Sequence, residues 1–350
     1  MELKKFKDFD KSMAKKFGDK FTSFGQADNF EPVKRIPIDC LSINNIIGGG
    51  LPVGRVIEVF GNNSVGKSAL ATHFVASYQR QDKYCMWIDA EHTLDPQFME
   101  YCGVDLEGLC MVAPESAEEA LEAMRLGMKM KDDDGNPVLD LIILDSVAAL
   151  TPAAEFDEKN ELGSGAVGKL ARLMSNALKQ LVTLAAASET TLILINQERA
   201  SNLMGYGPKS TTTGGNALKY YCSIRLDMSK TGWLEEGKTK VGQEVSIETV
   251  KNKTFAPYKT TKVEFRYPHE RDGKVMAGVD VLGDVVNTAL DLDLIKQGGA
   301  WFTWGEVKVQ GITKLKNHFI NDKESYNLLY SQVENYNDNP KEEDDETESL

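Results

Sequence analysis

The stretch "RVIEVFGNNSVGKSALATHFVASYQRQ" (residues 55–81) constrains the fold of this 350-residue chain more than any other. "RVIEVF" has the β-branched and aromatic residues of a buried strand, and the residues from Lys67 onward have helical period. Between them, "GNNSVGKS" (61–68) fills the pattern G-x-x-x-x-G-K-[ST] completely. A turn of this kind between a strand and a helix aims backbone N–H groups inward, and the positive end of the helix adds to their pull on phosphate. Chance matches rarely have the right strand and helix around them. Gly61, Asn62, Asn63, Ser64, Val65, Gly66, Lys67, Ser68 and Ala69 are therefore expected to cradle a nucleoside triphosphate. Lys67 would neutralise the β- and γ-phosphates, and the Ser68 hydroxyl would ligate Mg2+.

Strand–loop–helix units continue downstream. "YCMWID", "LCMVAP", "LDLIILD" and "TTLILIN" read as strands, separated by helices near 94–102 and through "SAEEALEAMRLGMKM". Continuous apolar strands alternating with helices specify a mainly parallel, doubly covered α/β sheet. "CSIRLD", "EVSIETVKN" and "KTTKVEFRY" have no helices between them, so the sheet gains an antiparallel extension. We expect an N-terminal helical segment over 1–34, an ATPase core over 35–267, a small α/β unit over 268–335 and an acidic disordered tail over 336–350. Phe6, Phe9, Met13 and Phe17 give the first segment one apolar stripe, which docks either on its own domain or on a neighbouring subunit.

Composition excludes some classes. No apolar run approaches the roughly 20 residues of a membrane helix. The charged start lacks a signal-peptide core, which points to the cytoplasm. The five cysteines form no C-x-x-C pair and the four histidines no H-x-x-x-H pair, arguing against disulfides and a structural metal. A net charge of −13 opposes loose nucleic-acid binding but not a local site. The last ten residues hold six acids and one lysine, and could compete with a polyanion for basic surface.

The remaining chemistry sits at strand ends. Asp145 closes "LIILD", where a carboxylate anchors Mg2+. Glu91 lies just beyond "WID", at the strand end where ligands of parallel sheets bind, and is the candidate base. His92 beside it reads as a packing or capping residue. Gln197 ends "LILIN" and opens a polar, glycine-rich stretch through Gly215, where it could sense the γ-phosphate.

Together "IDAEHTLDP", "LDSVAALTP", "INQ", "TTTGGNALKYY" and "VKNK…AP" resemble the bacterial and phage RecA-type strand-exchange recombinases over about residues 35 to 335. The resemblance implies a RecA-like P-loop ATPase that forms a helical homo-oligomeric filament on single-stranded DNA and pairs it with homologous double-stranded DNA, using ATP and Mg2+. It implies that Glu91 positions the attacking water and that Gln197 senses the γ-phosphate. It places Asp95, Phe98 and Tyr267 near the adenine, and it carries Lys251 and Lys253 to ATP on the adjacent subunit. The first implied DNA element covers 158–168 and leads into a helix presenting Arg172, Ser175 and Lys179. The second ends in Gly214, Gly215 and Asn216, with Arg199 near its start. The chain departs from the family's usual pattern at Asn62, Asn63 and Val65 of the phosphate loop, and at Gly165, Ala166 and Val167 of the first DNA element. An ATP-switched DNA coat and a ring helicase are the alternative readings.

Overall fold

A computed structural model describes residues 3–18, 32–156, 168–200, 210–271 and 274–338. Residues 1–34 form one unit, whose described helix α1 (Leu3–Phe17) ends on Lys15 and Lys16, cations that suit the negative end of the helix dipole. The side chain of Phe6 lies outside the described residues, as do 339–350 of the acidic tail.

Residues from Arg35 onward form the second unit. It opens with β1 (Arg35–Ile36), α2 (Leu41–Ile47) and β2 (Leu51–Pro52). Next come β3 (Val56–Gly61), α3 (Lys67–Gln79), β4 (Cys85–Asp89), α4 (Pro96–Tyr101), β5 (Leu109–Val112), α5 (Ala117–Gly127) and β6 (Leu141–Asp145). The helix α6 (Lys169–Ser188) leads into β7 (Thr191–Ala200), β8 (Ser210–Thr212) and α7 (Ala217–Tyr221). Four strands follow: β9 (Ile224–Glu236), β10 (Thr239–Asn252), β11 (Thr260–Arg271) and β12 (Lys274–Val279).

β1 and β2 pair with each other, and β3 to β12 build one sheet in the order β12-β11-β10-β9-β3-β7-β6-β4-β5, with β8 beside β7. From β9 to β5 the neighbours are parallel, and β9 to β12 run antiparallel, as the alternation of helices and its later loss predicted. Successive side chains of a strand point to opposite faces, and the apolar runs supply both. Ile57, Ile143 and Ile193 pack with Leu70 and Phe74 of α3. Val56, Ile142 and Leu192 pack with Met124 of α5 and Leu178 of α6.

A smaller cluster joins α8 (Val281–Asp291), the hairpin strands β13 (Lys296–Gly298), β14 (Trp301–Trp304) and β15 (Val307–Gln310), and the helices α9 (Ile312–Asn321) and α10 (Lys323–Asp338). Leu41 of α2 enters this cluster. The expected boundary at 267/268 falls inside β11, and β12 belongs to the large sheet, because β11 and β12 pair from Phe265↔Val279 to Arg271↔Lys274. The stretch beginning at Asn196 also differs from the expected loop. β7 continues to Ala200 and β8 returns antiparallel to it, with Glu198 opposite Thr212, so backbone pairing orders both ends. Residues 201–209, and 158–167 of the first DNA element, lie outside the described residues.

The close approach of β12 to α3 depends on one histidine. His73 on α3 is half-buried, and its Nε2 accepts the Val279 N–H at 2.7 Å. Gly278 leaves the space, since a Cβ there would lie 2.3 Å from that nitrogen. Burial pushes the imidazole down to about 4, so the folded chain holds it neutral. The unfolded chain takes up the proton near pH 6.5, so stability is intact above that value and falls as pH drops toward 4. That loss approaches about 3 kcal/mol at its limit. Urea unfolding of wild type and His73→Gln between pH 7.5 and 4.5 checks this: the variant's stability should vary less with pH.

Candidate nucleotide site and nucleic-acid face

The turn after β3 is built by glycine. Gly61 has φ +156, and a Cβ there would stand 2.2 Å from the Met228 carbonyl oxygen, so no larger residue fits without a shift. Gly66 has φ +99 and opens α3. A cavity of about 540 Å³ lies over this turn, lined by Asn63, Ser64, Gly66, Lys67, Ser68 and Ala69. Asn62 takes part through its carbonyl, which with that of Gly61 accepts from Lys67 Nζ at 2.8 and 3.2 Å. The Val65 side chain is buried in the core instead.

Glu91, Asp145 and Gln197 converge on the same cavity. The register Asp89↔Asp145 aligns the ends of β4 and β6, and the Ala90 N–H donates to the Asp145 carbonyl at 2.7 Å. Glu91 Oε1 accepts from the Ser146 hydroxyl at 2.5 Å and from Gln197 Nε2 at 3.3 Å. The expected base and the expected sensor are therefore directly joined.

Burial first, then Glu91 and Asp89, push the Asp145 carboxyl up to about 6, against the Ser68 hydroxyl bonded to it and the charge of Lys67. Lys67 is lowered by burial, which Asp145 and Glu91 oppose. A hydroxyl and a carboxylate in contact at a phosphate loop are the hard oxygen donors that Mg2+ takes, with phosphate and water completing its shell.

Phe98 of α4 and Tyr267 of β11 also line the cavity. Asp95 does not; its Oδ1 caps α4 by accepting the Gln97 and Phe98 N–H groups at 3.0 and 3.3 Å, which fixes the start of the helix carrying Phe98. Sequence reasoning missed Gln243, Phe265 and Arg266, which with Ile195 and Gly278 complete the lining. Gln243 faces Phe265 across β10 and β11 and donates its Nε2 to the Ser64 carbonyl at 3.1 Å. Alternation along the strands marks which residues share a face, but no local signal aims that face at residue 64.

Two of the candidate DNA residues, Gly214 and Gly215, lie against the helix that carries Arg172, Ser175 and Lys179. Arg172 and Lys179 are exposed on α6 and Ser175 is half-buried. Gly215, with φ +78, presses on this helix: a Cβ there would meet Ala171 Cβ at 2.9 Å. Gly214 packs likewise on Val147, and exposed Asn216 opens α7. Arg199 lies in β7, and its side chain is outside the described residues. Lys251 and Lys253 do not line their own chain's cavity. Lys251 Nζ donates to the Lys219 and Tyr220 carbonyls, the latter at 3.1 Å, and Lys253 Nζ donates to Tyr220 at 3.4 Å, at the far end of α7.

A protein-family model described as the RecA N-terminal domain matches residues 4–270. The chain belongs to the RecA family. It is 36% identical to Protein RecA of Sulfurovum sp. (strain NBC37-1), an alignment that covers 87% of this chain and 81% of the relative. It is 38% identical to Protein RecA of Campylobacter lari, over 85% and 83% of the two chains. Family membership makes the chain a nucleotide-binding, DNA-dependent ATPase of homologous recombination. Among the described residues, no helix is long and apolar enough to cross a membrane.

Removing the Gln243 amide takes a donor from the phosphate turn without touching Glu91. Gln243→Ala should raise KM for nucleotide several-fold, the effect of about 1 kcal/mol, and leave kcat nearly unchanged. Steady-state hydrolysis over a range of nucleotide concentrations measures both.

Proposed function

We propose that the chain binds ATP with Mg2+ in this cavity, assembles through such sites into a helical filament on single-stranded DNA, and pairs that strand with homologous duplex in the cytoplasm. The observation that carries this reading is the bond between Glu91 and Gln197 beside Lys67, at the mouth of a complete phosphate turn.

The residues divide the chemistry among them. The N–H groups of 61–69 and the Lys67 ammonium hold the phosphates. Ser68 and Asp145 would hold Mg2+, whose positive charge would offset the negative charge of the phosphates. Glu91 orients the attacking water and takes its proton, while Ser146 and Gln197 fix the carboxylate. Phe98 and Tyr267 flank the base, at a site steadied by the Asp95 cap. Lys251 and Lys253 reach the nucleotide of the adjacent subunit, where their charge stabilises the γ-phosphate as it leaves. That role requires them to exchange the Lys219 and Tyr220 carbonyls for phosphate oxygens, which are stronger partners of an ammonium group.

DNA is held at Gly214, Gly215 and Asn216, by Arg199, and along the Arg172, Ser175 and Lys179 face of α6. Backbone N–H groups and short polar side chains contact phosphate and carry no sequence information, so base pairing reads homology.

Glu91→Gln keeps the amide partners and removes the base. Nucleotide binding should persist while DNA-dependent hydrolysis falls about 100-fold or more. A Lys251→Ala/Lys253→Ala variant should also be inactive alone. Mixing the two should restore part of the hydrolysis, because some interfaces then join an intact Glu91 to intact lysines. A mixture as inactive as its components would refute the shared site.

A further inference from the structure

Asn196 precedes Gln197 on β7 and is fully buried. Its side chain makes three bonds, each to a different part of the machinery. Nδ2 donates to Glu58 Oε1 at 2.9 Å, on the strand that feeds the phosphate turn. Nδ2 also donates to the Thr213 carbonyl at 2.8 Å, one residue before Gly214. Oδ1 accepts the Gln197 N–H at 2.9 Å. The amide has only one workable orientation, since a flip would set its oxygen against a carboxylate and a carbonyl.

Glu58 is itself buried and is held by Arg225 Nε of β9 at 2.5 Å. The Arg225 guanidinium lies 4.5 Å from the centre of the Phe60 ring. A buried ion pair of this kind resists displacement, because moving one partner leaves an uncompensated charge. One rigid group therefore holds the Asn196 amide, and the amide holds both Gln197 and the returning chain at Thr213. From Gln197 the contact continues to Glu91.

We infer that Asn196 is a positioning residue: anchored by Glu58 and Arg225, it ties the DNA-facing glycines at 214 and 215 to the backbone of Gln197, so that DNA engagement is felt at Glu91. This rests on the reading above that Gln197 faces nucleotide and Gly214 to Asn216 face DNA. Asn196 touches neither ligand. A displacement of Thr213 by DNA changes a bond of the same amide that orients Gln197, without passing through the cavity. A purely structural Asn196 would instead support folding and both ligand sites alike.

The test uses the full chain with Asn196→Asp and Asn196→Ser. The aspartate retains an acceptor for the Gln197 N–H, but it sets a second oxygen against Glu58 and Thr213, so Asn196→Ser, which removes the amide donors without adding charge, is the primary variant. ATP hydrolysis is measured with and without oligo-deoxythymidine, alongside DNA binding by fluorescence anisotropy and thermal unfolding. DNA-free hydrolysis, KM for ATP and DNA affinity should stay within about twofold of wild type, while the DNA-stimulated increment falls about tenfold, within the range usual for coupling between sites. If Asn196→Ser does not fold, Asn196→Asp decides by the same criteria. Wild-type stimulation in the variant overturns the inference, and so does an equal loss of DNA-free and DNA-stimulated rates, which marks a structural role. A wild type that DNA does not stimulate overturns the underlying functional reading instead, so the two failures are distinct.

Discussion

The parallel register of β3 between β7 and β9 is the constraint on which the site depends. Gly61 is paired with Gln197 on one side and Met228 on the other. Because these strands run the same way, the phosphate turn, the residue after Asn196 and the end of β6 emerge at one edge of the sheet. The Gly61 Cα sits so close to the Met228 carbonyl that the turn tolerates no side chain there. A one-residue slip of β7 would carry Gln197 away from Glu91 and turn Asn196 to the opposite face. Catalytic geometry here follows from backbone pairing, before any side chain is chosen.

Electrostatics then set what the edge can hold. Three carboxylates, Asp89, Asp145 and Glu91, share the neighbourhood of one ammonium, Lys67. Burial withdraws water from Asp145, and its acidic neighbours add to the cost of its charge, raising it to about 6. Triphosphate brings more negative charge to the same place. In the proposed function, positive charge from a divalent cation at Ser68 and Asp145, and from Lys251 and Lys253 of another subunit, would answer the same deficit from two directions. A subunit by itself would lack the second source, which would give assembly a physical reason to control turnover.

How much of this was legible in the sequence depended on whether a signal was local. The central strands declared themselves because they are buried on both faces and read as unbroken apolar runs, as in "LIILD". The phosphate turn was legible because glycine and lysine spacing is itself the geometry. Asp95 was named through the resemblance, not by a local signal; its neighbour Pro96 and its bonds to Gln97 and Phe98 are those of a helix cap. Gln243 and Arg266 were not legible, because they reach the cavity only through the β10 to β11 pairing of the antiparallel extension. The ends of the polar stretch after Asn196 looked unstructured because they lack apolar residues, but backbone hydrogen bonds between β7 and β8 need none.

The placement of α7 links the proposed nucleic-acid face to Lys251 and Lys253. This five-residue helix begins just after the two glycines, one of which presses on α6, and it ends at the carbonyls that bind Lys251 and Lys253. Buried Ala217 and Leu218 fix it to the core, so its ends cannot move separately at low cost. Lys251 stands at the end of β10 and pairs with Arg225 of β9, and Lys253 lies just beyond the strand. Arg225 is the partner of buried Glu58 on β3. The route from the DNA glycines through α7 to the lysines, and the route from the phosphate strand through Glu58 and Arg225, therefore meet on two paired strands.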